Sequence, residues 1–542
     1  MSTTRTISPH SPSGMDATTP PHLVANNRWI DQKGLRTYFS KLTQFPLWKL
    51  LGGGPAGIRA HQIFTLPTGP GHNAIMVLIG SSYAARYAFD SGSGLSFTLL
   101  NRLNGTLPTL SQDPGDTSDF DRIQGTVYNN HIWFTGSTTK LRFTDGTYVG
   151  EYSTDVPAGR YIDNYFDHII VANSTFKGMF EPWHVRWSGL YNPGDWVPTE
   201  ENEADFFEIT GWQRANSVVP GVTGLGKIND VEYVYTDSCI CRINYVGLPK
   251  VMQFAPVVVG WGNFFLYSLV VTKNAHFFFD GYHQNFFVFD GVSQPQPIGD
   301  EVIKLFLDNF NLSPVSGQVP PFGFSVPERH EVWWSFMWND LSTRMTLVYN
   351  WKSKEWAYFN STDTIFSVGG GEGTQCKMIS DLTGTVDGLA SSFTVDKLGN
   401  TGIRFPKLIT SFLLNNFALE ATADSLSDLT IQGGNPTIES KDFHGDLQEV
   451  AEVDRLCIHA DYVNATGIDV YVSVRQSIHD AVTYKKVGTW TKNLRDGIIS
   501  FTPMKGRIVR YKFIFVDTVS SKPRGCVFYS FTDNLFSDRA ER

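Results

Sequence analysis

The sequence predicts an all-β chain, a β-propeller of about seven blades followed by a C-terminal β-sandwich. Three observations carry this expectation. Of the 542 residues 14% are aromatic (40 Phe, 21 Tyr, 14 Trp) and only 18% are charged, a balance that favours strands with broad buried faces over helices. An apolar strand, a short polar turn and a second strand ending in an aromatic or glycine recur at a loose period of about 40–50 residues. Beyond residue 399 the texture changes to longer segments that alternate at period two. A length prior alone would give three to four domains, at roughly 150 residues each. A propeller is the exception, because its blades bury a long chain in one toroid.

Residues 1–27, MSTTRTISPHSPSGMDATTPPHLVANN, are rich in Ser, Thr and Pro, and predict a mobile tail with too little apolar surface to offset ordering entropy. They contain no apolar h-region, so neither a signal peptide nor a membrane anchor is expected. No run of 18 apolar residues occurs, so no spanning helix is expected either. Residues 28–62 receive no fold: Leu35 to Phe45 fits a strand or a short helix, and Leu51-Gly-Gly-Gly-Pro-Ala-Gly ends it.

The propeller is expected over residues 63–398. Its strand pairs begin with His72 to Ile79 and Tyr83 to Phe89, then Asn130 to Phe134 and Lys140 to Gly146. Asp167 to Ala172 is followed by Trp183 to Ser188, and Val231 to Thr236 by Cys239 to Gly247. The most informative stretch comes next. Phe277 to Phe279 ends in Asp280-Gly281, and Phe286 to Phe289 ends in Asp290-Gly291, two short strands each closed by a turn dipeptide. Asp300 to Asn309 then predicts a short helix, with apolar residues at 302, 303, 305, 306 and 307. His330 to Phe336, Thr346 to Trp351 and Lys354 to Phe359 complete the set. No WD, kelch or Asp-box signature accompanies these units.

Residues 399–542 predict the sandwich. Its strands are Ile458 to Ala460, Ile468 to Val474, Gly497 to Phe501, Gly506 to Phe515 and Val527 to Phe531.

Net charge is −9 at pH 7 and no Lys/Arg run occurs, so no basic footprint for nucleic acid is expected. Five cysteines at 239, 241, 376, 457 and 526 are too scattered for a disulfide framework, which leans towards a reducing cytoplasm. Cys239 and Cys241 share one face of a strand with no further ligands at zinc spacing, and read as buried thiols. The carboxylates of Asp113 to Asp121 and Glu200 to Asp205 do not match a Ca²⁺ loop and read as solvated turns. Asp280, Asp290 and Asp300 would suit a glycosidase pair only if they faced one cleft. Asp-Gly turns usually turn the carboxylate onto backbone amides instead. Trp333, Trp334, Trp338, Trp351 and Trp356 could stack sugars, but packing between blades is the plainer account. Neither Gly-x-Ser-x-Gly nor a Gly-rich Lys-Ser/Thr loop is present. The sequons at Asn104, Asn173, Asn360 and Asn464 carry no meaning without secretion. No catalytic residue, cofactor site or metal site is therefore assigned, and the chain is expected not to be an enzyme.

The order of features resembles a known family. Arg186-Trp-Ser is followed by Pro193-Gly-Asp-Trp196, by Cys241-Arg-Ile-Asn-Tyr-Val-Gly-Leu-Pro249, and by Phe289-Asp-Gly with Pro297-Ile-Gly-Asp300. Glu331-Val-Trp-Trp, Val348-Tyr-Asn-Trp, Glu355-Trp356, Asp446-Leu, Val453-Asp-Arg and Gly506-Arg-Ile-Val-Arg-Tyr complete the order. Over about residues 120–535 the sequence resembles the propeller-containing tail nozzle proteins of short-tailed bacteriophages, the tail tubular protein B-like class. The resemblance implies a structural virion protein of the tail, assembled in the host cytoplasm as a homohexameric ring. Such a ring would be gated for genome ejection, contact a tail adaptor protein, and carry fibre or spike proteins. Genomic DNA would pass without sequence-specific binding, and few Lys or Arg are expected on the lumen wall, since tight phosphate binding would slow ejection. The competing expectation is a carbohydrate-binding or polysaccharide-degrading propeller protein of a phage tail.

Overall fold

A computed structural model describes residues 14–538 apart from 39–40, 46, 54–59, 68–73, 81–83, 91–93, 104–121, 153–154, 210–220, 311–320, 338–343, 362–364, 373–405, 413–415, 422–434, 445–449, 463–465, 492–496 and 518–525. Among the described residues, seven four-stranded antiparallel blades form a propeller. Blade 1 is Ala60–Pro67, Ala74–Gly80, Ala84–Asp90 and Gly94–Leu99, and blade 2 is Gln124–Tyr128, His131–Thr135, Arg142–Thr144 and Val149–Glu151. Blade 3 is Ala158–Tyr165, His168–Phe176, Met179–Trp187 and Asp205–Glu208, and blade 4 is Gly224–Ile228, Val231–Tyr235, Cys239–Tyr245 and Met252–Val259. Blade 5 is Val270–Val271, His276–Asp280, Asn285–Phe289 and Gln296–Pro297, and blade 6 is Phe322–Val326, Glu331–Met337, Arg344–Asn350 and Glu355–Ser361. Blade 7 takes Ile365–Glu372, Pro406–Phe412 and Asn416–Ala421 from late in the chain, and its outer strand, Leu47–Gly53, from the beginning. The first strand of each blade lies beside the first strand of the next, and Ile365–Glu372 lies beside Ala60–Pro67, so the circle closes.

The triple Phe277-Phe278-Phe279 follows from this arrangement. A second strand in a propeller is covered on both faces, so successive side chains are both buried and period-two alternation disappears. Phe278 packs towards blade 4 with Tyr235 and Phe287, whereas Phe277 and Phe279 pack towards blade 6 with Trp334. Trp333 and Trp334 repeat the logic: Trp334 faces blade 5, and Trp333 lies over Phe359 on the other side at 5.5 Å. The helix Ile303–Asn309 follows blade 5 and buries Phe306 against Phe279, Phe286 and Phe336.

The sandwich is two five-stranded layers over one core. Trp29–Lys33, Thr437–Ser440, Ile508–Asp517, Thr466–Arg475 and Lys485–Trp490 form one layer, with Phe443–His444 added beside Ile508–Asp517. The other layer is Leu35–Tyr38, Lys41–Gln44, Cys526–Asp538, Val450–Tyr462 and Ile498–Gly506. Ile468, Val470 and Val472 point inward at alternate positions and meet Trp29, Leu456, Phe513 and Phe528.

Three expectations about boundaries change. The segment 28–62 is strand in three different places: its first three strands open the sandwich, Leu47–Gly53 closes blade 7, and Ala60 begins blade 1. The propeller therefore spans more than 63–398, and the sandwich does not begin at 399, because Pro406–Phe412 and Asn416–Ala421 belong to blade 7. The propeller is an insertion within the sandwich. Nor is all of 1–27 a free tail. Met15 is fully buried beside Val302 and Phe306, Ala17 N–H donates to the Glu301 carbonyl at 2.8 Å, and Asp442 N–H donates to the Pro21 carbonyl at 3.0 Å. One buried methionine and a row of backbone bonds outweigh the average composition of the segment.

The two domains meet along a seam. Lys33 pairs in parallel with Tyr358 of blade 6, which joins the sandwich layer to that blade as one continuous sheet. The Tyr358 hydroxyl donates to Asp31 Oδ1 at 2.7 Å, Arg36 pairs with Glu331 at 3.0 Å, and Arg28 forms an ion pair with Glu301. Burial pushes the Asp31 carboxyl up to about 6 and the Glu355 carboxyl up to about 7. Both values lie above those of the unfolded chain, so this contribution is present below about pH 4 and is lost as pH rises through about 6 to 7. Asp31→Asn keeps the acceptor for Tyr358 but removes the charge. Its thermal midpoint should exceed that of the parent at pH 8 and match it at about pH 3.5, below the unfolded-chain value. An equal loss at both values would mean that the charged carboxylate is the stabilising form.

Candidate functional site

The inner strands enclose an axial cavity of about 290 Å³, lined by residues of blades 1 to 6 including His61, Arg122, Tyr161, Tyr267 and Phe324. Blade 1 is bonded to blade 2 at its wall. Gln62 Nε2 donates to Gln124 Oε1 at 2.8 Å, Gly125 N–H donates to Gln62 Oε1 at 2.6 Å, and Ile123 N–H donates to His61 Nδ1 at 2.9 Å. Arg122 Nη2 donates to the His61 carbonyl at 2.5 Å, and its guanidinium spans the axis to lie 4.5 Å from the Phe322 ring of blade 6. Burial pushes that guanidinium down to about 9, which leaves it charged at neutral pH. The cavity is far too small to pass a duplex, whose major groove alone is about 12 Å wide.

The acidic candidates do not converge on this cavity. Asp280 is fully buried, and its oxygens accept from the N–H groups of Gly262, Tyr282 and His283 at 2.8–2.9 Å. Asp290 accepts from Val292 N–H at 2.9 Å and Ser293 N–H at 2.7 Å, and the first of these bonds is the main cause that lowers its pKa. Asp300 accepts from Asn285 Nδ2 at 2.6 Å. Asp280 and Asp290 organise turns, and Asp300 ties its segment to the preceding hairpin through Asn285. Trp333, Trp334 and Trp356 are core residues, which rules out these rings as an open sugar-binding face; Trp351 is half-buried on Phe277 at 5.9 Å, and Trp338 lies outside the described residues. Cys239 and Cys241 are buried with sulfurs 3.7 Å apart. The loop Asp113 to Asp121 lies outside the described residues as well.

The sequence did not single out the cluster at one end of blades 3 and 4. Antiparallel blades put their first-to-second and third-to-fourth turns at the same end. There the Phe166 ring, 55% exposed, stacks on Tyr245 at 5.0 Å with planes 15° apart. Tyr245 comes from the end of the third strand of blade 4, and its hydroxyl donates to Glu203 Oε2 at 3.3 Å. Glu203 is held in turn: its carbonyl accepts from the buried Trp187 Nε1 at 2.8 Å, and His168 Nε2 lies 3.4 Å from its carboxylate. Beside the pair, Tyr128 donates to Asp167 Oδ1 at 3.2 Å, and the backbone N–H of Tyr191, 67% exposed, donates to the Asp167 carbonyl at 3.1 Å; the Asp167 carboxylate nearby raises the Tyr191 phenol.

The first-to-second turns at this end give an internal comparison. Blade 2 uses Asn129-Asn130 at φ 49° and 58°, and blade 4 uses Asn229-Asp230 at 46° and 66°. Blade 3 makes the same left-handed turn with Phe166-Asp167 at 43° and 61°. Asn and Asp tolerate this region, whereas a bulky aromatic at positive φ is an outlier. A phenylalanine placed there and left open to solvent is not explained by folding.

No protein-family model matches the sequence, and no curated protein matches it. Among solved structures, a quinoprotein alcohol dehydrogenase-like protein from Bacteroides thetaiotaomicron aligns with 57% of this chain and 68% of its own, at 10% identity and a TM-score of 0.34. An exo-β-1,3-galactanase from Phanerochaete chrysosporium, solved with galactose, aligns over 82% of this chain and all of its own, at 9% identity and a TM-score of 0.24. Both likenesses are too loose to bear on activity or substrate, and the propeller stands on its own closed circle of blades.

Proposed function

We propose that the chain is a structural subunit of a short-tailed phage tail nozzle, a homohexameric ring that gates genome ejection and serves no catalytic step. The observation that supports this most is where the family-like residues fall. Arg186-Trp-Ser, Cys241-Arg-Ile and Glu331-Val-Trp-Trp lie on third or second strands of blades 3, 4 and 6, and Gly506-Arg-Ile-Val-Arg-Tyr turns from Ile498–Gly506 into the central sandwich strand Ile508–Asp517. The resemblance thus runs through both domains and across their seam. The continuous sheet and part-buried polar bonds at that seam suit a subunit that must transmit force without hinging. Because the propeller axis is closed to DNA, the genome channel in this reading is the axis of the ring, bounded by neighbouring copies.

The tail adaptor and the fibres or spikes are the expected partners. Cross-linking mass spectrometry on intact particles that contain this chain should give links between copies and links to an adaptor at the distal end of the tail. Recovery of the chain only from the soluble fraction, with no virion links, would contradict the proposal.

A further inference from the structure

We propose that the Phe166–Tyr245 stack, edged by Asp167 and Glu203, is a binding site for a neutral polysaccharide. Where blades 2 and 4 place asparagine, blade 3 places an aromatic in the left-handed region and leaves it 55% exposed. Both choices work against folding, one through backbone strain and the other through hydration of an apolar ring. The ring is nevertheless firmly aimed, because Tyr165 meets it edge-on at 4.7 Å and Tyr245 stacks on it at 5.0 Å.

The polar groups around it say what such a ring would meet. Pyranose C–H bonds are weakly positive and pack on the negative face of an aromatic ring. Sugar hydroxyls need acceptors at the ring edge, and Asp167 and Glu203 supply carboxylates, already oriented by Tyr128 and Tyr245. Carboxylates at the rim, on a chain of net charge −9, disfavour uronic acids, sialic acids and phosphates. An apolar protein partner would be better matched by a rim without charge. The site is therefore read for neutral hexoses.

It does not depend on ring assembly, since one copy holds every residue named; a ring would repeat a weak site and raise its avidity. The site also differs from the tryptophans that the sequence suggested, of which Trp333, Trp334 and Trp356 are in the core.

The decisive variant is Phe166→Asn, which restores the residue type of the sister turns. The full-length chain and this variant are to be tested on immobilised β-1,3-, β-1,4- and α-1,4-glucose hexasaccharides, β-1,3-galactan and lipopolysaccharide with a neutral O-chain. The parent should bind at least one of these, and Phe166→Asn should lose about tenfold or more in affinity, equivalent to about 1.4 kcal/mol. The unfolding midpoint of the variant should be equal to or above that of the parent. Met179→Ser, which changes an exposed side chain at the opposite end of blade 3, should bind like the parent. No binding by the parent to any probe would overturn the proposal, as would undiminished binding by Phe166→Asn. If the parent binds no saccharide and Phe166→Asn dissolves its self-association, the stack is instead an interface between copies.

Discussion

Trp334→Ala is expected to destabilise the propeller by about 3–5 kcal/mol, the range for emptying a buried large aromatic site. Trp334 is fully buried in the second strand of blade 6, with Phe286 of blade 5 at 4.8 Å and Trp356 stacked at 5.8 Å. Its indole N–H donates to the Ser268 carbonyl at 3.0 Å, so truncation also strands an acceptor in the segment leading into blade 5. The loss falls on a contact between blades, and a closed circle has no free end where it could be absorbed by fraying. Chemical unfolding followed by tryptophan emission and by far-ultraviolet circular dichroism measures it. Trp334→Phe should recover most of the packing but not the hydrogen bond. A cost below about 1 kcal/mol for the alanine variant would mean that the blade interface is not packed as described.

Asp442→Ala should cost a similar amount, about 3–5 kcal/mol, for an electrostatic reason. Asp442 is buried in the sandwich between Arg510, which donates from Nε at 2.7 Å and from Nη2 at 2.9 Å, and Arg475, which forms a second ion pair with it. Removing the carboxylate leaves two buried guanidinium groups facing each other. Burial alone would raise the pKa of Asp442, but the hydrogen bonds from Arg510 and Arg475 outweigh it and hold the carboxyl below its usual range. A lowered folded-state value means that its contribution is complete above the unfolded value of about 4 and is lost as pH falls through the folded one. The sandwich should therefore lose stability on acidification, opposite in sign to the seam carboxyls. Midpoints measured from pH 3 to pH 8 should show that Asp442→Ala removes part of this acid limb. An unchanged acid limb would mean that other carboxylates dominate it.

The strands legible in the sequence were the second and third strands of blades 1 to 6 and the fourth strand of blade 6. The second strands are covered on both faces, so they stand out as runs such as Phe277 to Phe279 and Val332 to Trp334. First and fourth strands are shorter or more polar, as in Gln296–Pro297 and Asp205–Glu208, and leave little local signal. Blade 7 was the hardest to see because its outer strand comes from Leu47–Gly53, whose Gly52-Gly53 reads as an ending and not as a partner for Asn416–Ala421. The turn role of Asp280 and Asp290 was legible because Asp-Gly chemistry is local. The Phe166–Tyr245 stack was not, since its halves are 79 positions apart and meet only when blades 3 and 4 pack. One local clue existed. Phe166-Asp167 stands between two strands where a left-handed turn is needed, and the Asn-Asn and Asn-Asp of neighbouring units show what that turn prefers.

The ring is the central claim, and electron cryo-microscopy of the purified full-length chain tests it most directly. The expected result is a closed six-fold ring in which each subunit shows seven blades, a sandwich joined through blade 6, and a central lumen with few lysines or arginines on its wall. A population of monomers at micromolar concentration, or a lumen lined with basic side chains, would contradict it.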